Sequence, residues 1–210
     1  MSDKSDADLL AAWRTGDNRA GNELFDRHFE SLYRFFVHKV GAQAEDLVQQ
    51  TLLACLRGGA GWRGDASFRA YLFAIARHEL FHHFAKQHKR PEPIDLSVVS
   101  IAEIDASPSQ FAAARGEDRL LLEGLRRLPL ELQIALELYF FEGLRGADLV
   151  AALDLPPGTV RSRIRRGLER LKIELEALER APARLETTMT TLRGWAAAVR
   201  DAAERSDEDA

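Results

Sequence analysis

Residues 146–172 read GADLVAALDLPPGTVRSRIRRGLERLK, and the fold turns on how that stretch divides. Leu149, Val150 and Leu153 fall at helical spacing, which predicts a short helix over 146–153 with one inward face. Asp154 to Pro156 makes a tight turn. Pro157 suits the first position of a second helix, because its ring holds φ near the helical value and its missing N–H needs no partner there. In that helix Val160, Ile164, Leu168 and Leu171 are spaced four, four and three residues apart, forming a core stripe. Thr159, Arg161, Ser162, Arg165 and Arg166 then face outward. A short helix, a tight turn and a longer helix with donors along its outer face is a helix-turn-helix. Its second helix enters the major groove, where the donors reach base edges and phosphates. An arginine-rich helix on its own is as often a solvated surface; its place directly after a two-helix turn favours the DNA contact.

The same periodicity extends outward in both directions, with no sustained alternation of the kind that marks strands. Residues 6–14, then 18–40 with Leu24, Phe25, Phe29, Leu32, Tyr33 and Phe36, then 44–57 with Leu47, Val48, Leu52 and Leu56, each predict a helix with one buried face. Gly58, Gly59, Gly61 and Gly64 interrupt them, and Asp65 or Ser67 can cap a further helix reaching about His88. From Arg90 to about Ser109 the chain carries Pro91, Pro93 and Pro108 without helical period, which reads as a linker. A second helical block follows, punctuated at Pro129, at Gly143 and Gly146, and at Pro156 to Gly158. Beyond Pro182, Leu185, Met189, Leu192, Trp195 and Val199 predict an amphipathic helix over 183–204, followed by an acidic tail expected to be disordered. The fold class is therefore all-α: two small helical domains joined by a flexible linker, the second a helix-turn-helix domain, plus a C-terminal helical extension. The boundaries fall at 1–90, 91–115, 116–178 and 179–210.

Composition agrees. At 210 residues and 46% apolar, the chain has room for two small cores and is not a disordered protein. A single cysteine, Cys55, excludes an intrachain disulfide and a thiolate cluster for zinc. The acidic N-terminus, MSDKSDADLL, holds no apolar run suited to a signal or membrane helix, so a cytoplasmic protein with no membrane contact is expected. The net charge of −4 is carried by residues 174–210, where nine acidic residues face five arginines. The neutral remainder holds two basic clusters: Lys86, Lys89 and Arg90, and Arg161, Arg163, Arg165, Arg166, Arg170 and Lys172. Both are phosphate-binding candidates.

Further motifs lie around residues 62–88. Trp62, Phe68 and Tyr71 supply aromatic faces beside Arg63, Arg69 and Arg77, a sequence-tolerant way to hold unpaired bases, although Phe73 and Phe68 also fit a buried stripe. His78-Glu79-Leu80-Phe81-His82 matches the zinc-protease pattern, with His88 where a third ligand falls. His78 and His82 would share one helix face and Glu79 would activate water. Against it, Ala85 replaces a glycine of the extended pattern, no sheet is predicted, and Met189 lies in a separate segment.

The run LPLELQIALELYFFEGLRGADLVAALDLPPGTVRSRIRRGLERLK resembles the C-terminal promoter-binding domain of the extracytoplasmic-function group of bacterial RNA polymerase sigma factors. AEDLVQQTLL at 44–53 is similar to that group's segment for docking on the polymerase clamp helices. FRAYLFAIARHELFHHFAKQHKR at 68–90 is similar to the helix that melts the promoter and holds its upstream melted element. The resemblance covers residues 6–90 and 116–175, in family order. It departs at Asp154, where glycine is usual, at Tyr71, where tryptophan is common, and at His78, where asparagine is common.

The resemblance implies a sigma factor, not an enzyme, with no metal or other cofactor. Its implied partners are RNA polymerase core and promoter DNA, with an anti-sigma factor or the chain's own C-terminal extension as inhibitor. Core polymerase would be met by Glu45, Asp46, Gln49 and Gln50. Promoter melting would fall to Trp62, Arg63, Asp65, Ser67, Arg69, Tyr71, Arg77 and His78. The minus-35 element would be read by Thr159, Arg161, Ser162, Arg165 and Arg166. The alternative is a helix-turn-helix regulator that does not bind core polymerase; the remote one is a zinc metalloprotease through His78, Glu79 and His82. Threonines 187, 188, 190 and 191 could in principle be phosphorylated, but exposed threonines on a helix are far more often plain surface.

Overall fold

Helix ends in the N-terminal part are set by local chemistry that the sequence carries openly. The computed structural model describes residues 4–58, 62, 65–87, 100–104 and 117–178. Helix α1, Asp6–Arg14, opens with a capping box in which Ser5 and Asp8 each accept the other's backbone N–H. Helix α2, Asn18–Val40, opens on Asp17, whose carboxylate accepts from the N–H groups of Arg19 and Ala20. It ends at Gly41, whose φ of 56° suits a residue without Cβ, and a 3-10 turn, Gly41–Gln43, leads into α3, Ala44–Arg57. Of the two capping candidates before α4, Phe68–Gln87, the structure uses Ser67: its hydroxyl accepts the Ala70 N–H at 3.1 Å.

By contacts the chain forms two units, the first comprising Met1–Gln87 with Gly146–Asp154 and the second His88–Arg145 with Leu155–Ala210. In the first unit, Leu9 and Leu10 of α1, Leu24, Leu32, Phe35 and Phe36 of α2, Leu47, Val48 and Leu52 of α3, and Phe68, Leu72, Phe73, Leu80 and Phe84 of α4 are buried. Each such side chain contributes roughly 1.5–3 kcal/mol of transfer free energy, so this aromatic and leucine core is what holds the helices together. Phe35 and Phe73 meet edge to face at 5.5 Å. Helix α1 crosses α2 at Gly21, where an added Cβ would lie 2.5 Å from the Trp13 indole nitrogen, so any larger residue would push the helices apart. Helix α8, Gly146–Leu153, lies against α4 and buries Leu149, Ala152 and Leu153, with Val150 half-buried.

In the second unit, α6, Glu117–Arg126, α7, Leu130–Phe140, and α9, Pro157–Leu178, close around Leu121, Leu125, Leu128, Leu136, Phe141, Leu171 and Leu175. The segment expected to be linker is not uniformly featureless. Ser100 pairs with Pro129 in an isolated antiparallel bridge, Ile101 is fully buried, and a short helix α5, Ile101–Ile104, follows. Apolar burial of one isoleucine overrides the lack of helical period there. The predicted C-terminal helix over 183–204 lies outside the described residues, as do Arg63, His88, Lys89 and Arg90.

Candidate nucleic-acid interface

Helix α9 starts at Pro157, and Val160 N–H makes its first bond to Pro156 O at 3.0 Å. The turn before it passes through Asp154 with a φ of 52°, a left-handed conformation that Asp tolerates better than most residues, so the turn survives the loss of the usual glycine. Val160, Gly167, Leu171 and Leu175 are buried, with Ile164 and Leu168 packed on the core beside them.

This packing sorts the arginines. Arg161, Arg165 and Arg166 are exposed and have no ion-pair partner among the described residues. Thr159 and Ser162 are half-buried, and the Ser162 hydroxyl donates to Thr159 O at 3.0 Å. Arg163 is turned inward onto Glu131 at 2.6 Å, Arg170 pairs with Glu174 at 2.8 Å, and Lys172 pairs with Glu176 at 3.8 Å. Six cations in the sequence thus reduce to a patch of three on one face, with room for phosphate oxygens and base acceptors.

The second group sits at the head of α4. The Trp62 indole N–H donates to Ala66 O at 2.9 Å, and its ring stands edge-on to Phe68 at 5.6 Å. Asp65 and Ser67 are exposed, and the Ser67 backbone N–H donates to Asp148 Oδ1 at 2.8 Å. Phe68 is 4% exposed, so of its two sequence readings the buried stripe holds, and its ring meets Trp62 edge to face. Arg69 donates to Ser31 Oγ at 3.0 Å and lies over the Phe73 ring, while Arg77 lies over Phe81. Both guanidinium groups are half-buried against their own unit. Tyr71 is half-buried with its hydroxyl close to Gly58; burial raises its pKa most, the Cys55 thiol adds to this, and Arg14 opposes it. Burial also pushes the Cys55 thiol up to about 11, so it is not a reactive thiolate. His78 stands out in solvent beside Glu79 at 3.9 Å.

On α3 the side chains of Glu45, Asp46, Gln49 and Gln50 are all exposed, opposite the buried Leu47, Val48 and Leu52. Leu53 joins them at 43% exposure, an apolar residue in a polar strip that a count of charges alone misses. Its position three and four residues beyond Gln50 and Gln49 was the available signal. In the zinc-protease pattern His82 is exposed like His78, and among the described residues no group of three or more His, Cys, Asp or Glu could hold a metal ion. Among the described residues no helix is long and apolar enough to cross a membrane.

Comparison with known proteins divides the chain into two stretches, the second of which includes α8 although α8 packs with the first unit. A family described as Sigma-70 region 2 matches residues 24–90, and one described as Sigma-70, region 4 matches residues 118–171. The chain is 29% identical over 191 residues to the RNA polymerase sigma-H factor of Pseudomonas aeruginosa, covering 86% of this chain and 98% of that protein. It is 27% identical over 185 residues to the ECF RNA polymerase sigma-E factor of Salmonella typhimurium, covering 84% of this chain and 97% of that one. The ECF RNA polymerase sigma-E factor of Escherichia coli is similar to the same extent.

Proposed function

Because this chain belongs to the extracytoplasmic-function group of RNA polymerase sigma factors and directs transcription initiation, we propose a division of that work among its exposed surfaces. Residues 1–90 dock on core polymerase and hold the melted promoter, 91–115 connect, 116–178 read the minus-35 element, and 179–210 extend the chain. The strip Glu45, Asp46, Gln49 and Gln50, with Leu53 at its end, meets the polymerase; the charges steer docking and the leucine is desolvated in it. Trp62 with Asp65, Ser67 and Tyr71, His78 further along α4, and Arg63, Arg69 and Arg77 as cations capture unpaired bases instead of forcing strands apart.

Thr159, Arg161, Ser162, Arg165 and Arg166 make the duplex contact. The observation that carries this is the sorting of α9: three arginines stand in solvent on one face while Arg163 is turned inward. A factor of this kind acts in the cytoplasm, where polymerase and promoters are, and carries out no bond-making chemistry of its own. Its restraint comes from an anti-sigma factor or from the C-terminal extension.

The test is transcription by core polymerase with the purified full chain. A discrete, promoter-dependent transcript is expected; absence of core binding would favour a helix-turn-helix regulator that works without polymerase. The same assay on a chain ending at Leu178 addresses the extension. A folded truncation with higher activity supports self-inhibition, and one with unchanged activity rejects it.

A further inference from the structure

Reading a base edge demands that the reading helix be held at a fixed angle, and two contacts between α7 and α9 bear on that angle. One is a close approach at Gly167, where an added Cβ would lie 3.0 Å from Leu136 Cγ. Apolar contact of this kind is non-directional, so with the shared leucine core it acts as a pivot that fixes the separation of the helices more firmly than their tilt. The other is the ion pair between Arg163 Nη2 and Glu131 Oε2 at 2.6 Å, with the side chains only 12% and 25% exposed. A guanidinium-carboxylate bond is directional. Arg163 precedes Gly167 by four residues, which separates the two contacts by about 6 Å along α9. Glu131 precedes Leu136 in the same sense on α7, so the pair and the pivot together define a line and hence an angle. In sequence Arg163 falls between Arg161 and the pair Arg165 and Arg166, so a change in its hold on α7 is felt by the turn of α9 that carries all three.

We propose that Glu131, acting through Arg163, is a positioning residue for minus-35 recognition. This rests on α9 being the DNA-reading helix. Neither side chain touches DNA. The pair sets the tilt at which Arg161, Arg165 and Arg166 meet the groove, and it withholds the Arg163 cation from phosphate. Base contacts need geometry within about 0.5 Å and 10–20°, whereas phosphate contacts tolerate more, so the pair governs selectivity more than total affinity.

The experiment uses holoenzyme and two duplexes of equal length, one selected by the wild-type holoenzyme from random sequence and one unrelated, over a salt series. Glu131→Gln and Arg163→Gln should each lower the selected-to-unrelated affinity ratio about tenfold, a size typical of one lost base contact, with the salt slope unchanged in Arg163→Gln and not reduced in Glu131→Gln, which releases the Arg163 cation. The double variant should be no worse than the weaker single one, because both remove the same contact. Leu121→Val, a core change outside the pair, is the stability control and should leave the ratio intact. Additive losses, an equal loss in Leu121→Val, or a salt slope reduced by about one in Arg163→Gln would overturn the proposal. Arg161→Ala and Arg165→Ala tell its failure from that of the interface. If they matter and the pair does not, only the positioning role falls; if they do not matter either, the interface itself is wrong.

Discussion

The Trp62 indole N–H is bonded to Ala66 O at 2.9 Å, directly before Ser67 caps α4. The Trp62 ring is half-buried and stands edge-on to Phe68 at 5.6 Å. Stacking on such a ring is worth about 1–3 kcal/mol per base. Trp62→Ala should therefore lower the yield of competitor-resistant open complexes by roughly tenfold while leaving binding to minus-35 duplex unchanged. Trp62→Phe keeps the ring and loses the bond, so its defect should be smaller. Equal open-complex yields for all three proteins would remove Trp62 from the melting site.

The three exposed arginines of α9 need not act alike. Alanine at a base-reading position should cost about 1–3 kcal/mol and relax the preference at one base pair, whereas alanine at a phosphate contact should weaken all sequences and reduce the salt slope by about one. Measured over a salt series, each of Arg161, Arg165 and Arg166 should fall into one class. Three silent variants would place the DNA elsewhere.

Asp46 stands in solvent at the start of α3, away from the buried face. Reversing its charge should weaken core polymerase binding by roughly 1–2 kcal/mol, mostly through slower association that is sensitive to salt. Helix content and thermal midpoint should stay as in the wild type. An unchanged affinity for core would show that this end of α3 is not the docking surface.

Much of this layout was open to sequence reading, for reasons that differ from residue to residue. The bounds of α1, α2 and α3 follow from the spacing of apolar residues, and Pro157 marks the start of α9 by local chemistry. The face of α9 was legible too, because Val160, Ile164 and Leu171 orient the helix. What stayed hidden depends on partners far along the chain. Nothing near Arg163 says that Glu131, on another helix, will claim it, and nothing near Arg69 points to Ser31. Ile101 looked like linker because a four-residue helix is too short to show a period, yet burial in the second unit decides its structure. Phe68 was ambiguous between core and ligand contact, and only its neighbours in three dimensions settle it as core.

Asp6 links α1 to α2 through His28 at 2.9 Å and Arg27 at 3.2 Å. Burial by itself raises the pKa of this carboxyl, but the hydrogen bonds and charges of His28 and Arg27 outweigh it and hold the pKa below the usual value. A depressed folded pKa means that the stabilisation is present above the unfolded value, about 4, and is lost as pH falls through the folded one. Asp6→Asn should lower stability at neutral pH by roughly 1 kcal/mol, a modest figure because the pair is partly exposed. Denaturant midpoints of the two proteins should converge as pH drops below about 4. A gap that stayed constant with pH would show that the charge on Asp6 contributes nothing.

The central claim is that one chain reads duplex with α9 and traps unpaired bases around Trp62. Chemical probing of a single promoter tests it most directly, with permanganate to report unpaired thymines and nuclease protection to report minus-35 occupancy, using holoenzyme made with wild type, Trp62→Ala and Arg165→Ala. The account predicts that Trp62→Ala keeps minus-35 protection and loses permanganate reactivity. It also predicts that Arg165→Ala weakens protection yet melts the promoter once holoenzyme is raised to saturation. If both variants lose protection and reactivity together at every concentration, the two surfaces do not divide the work and the account is contradicted.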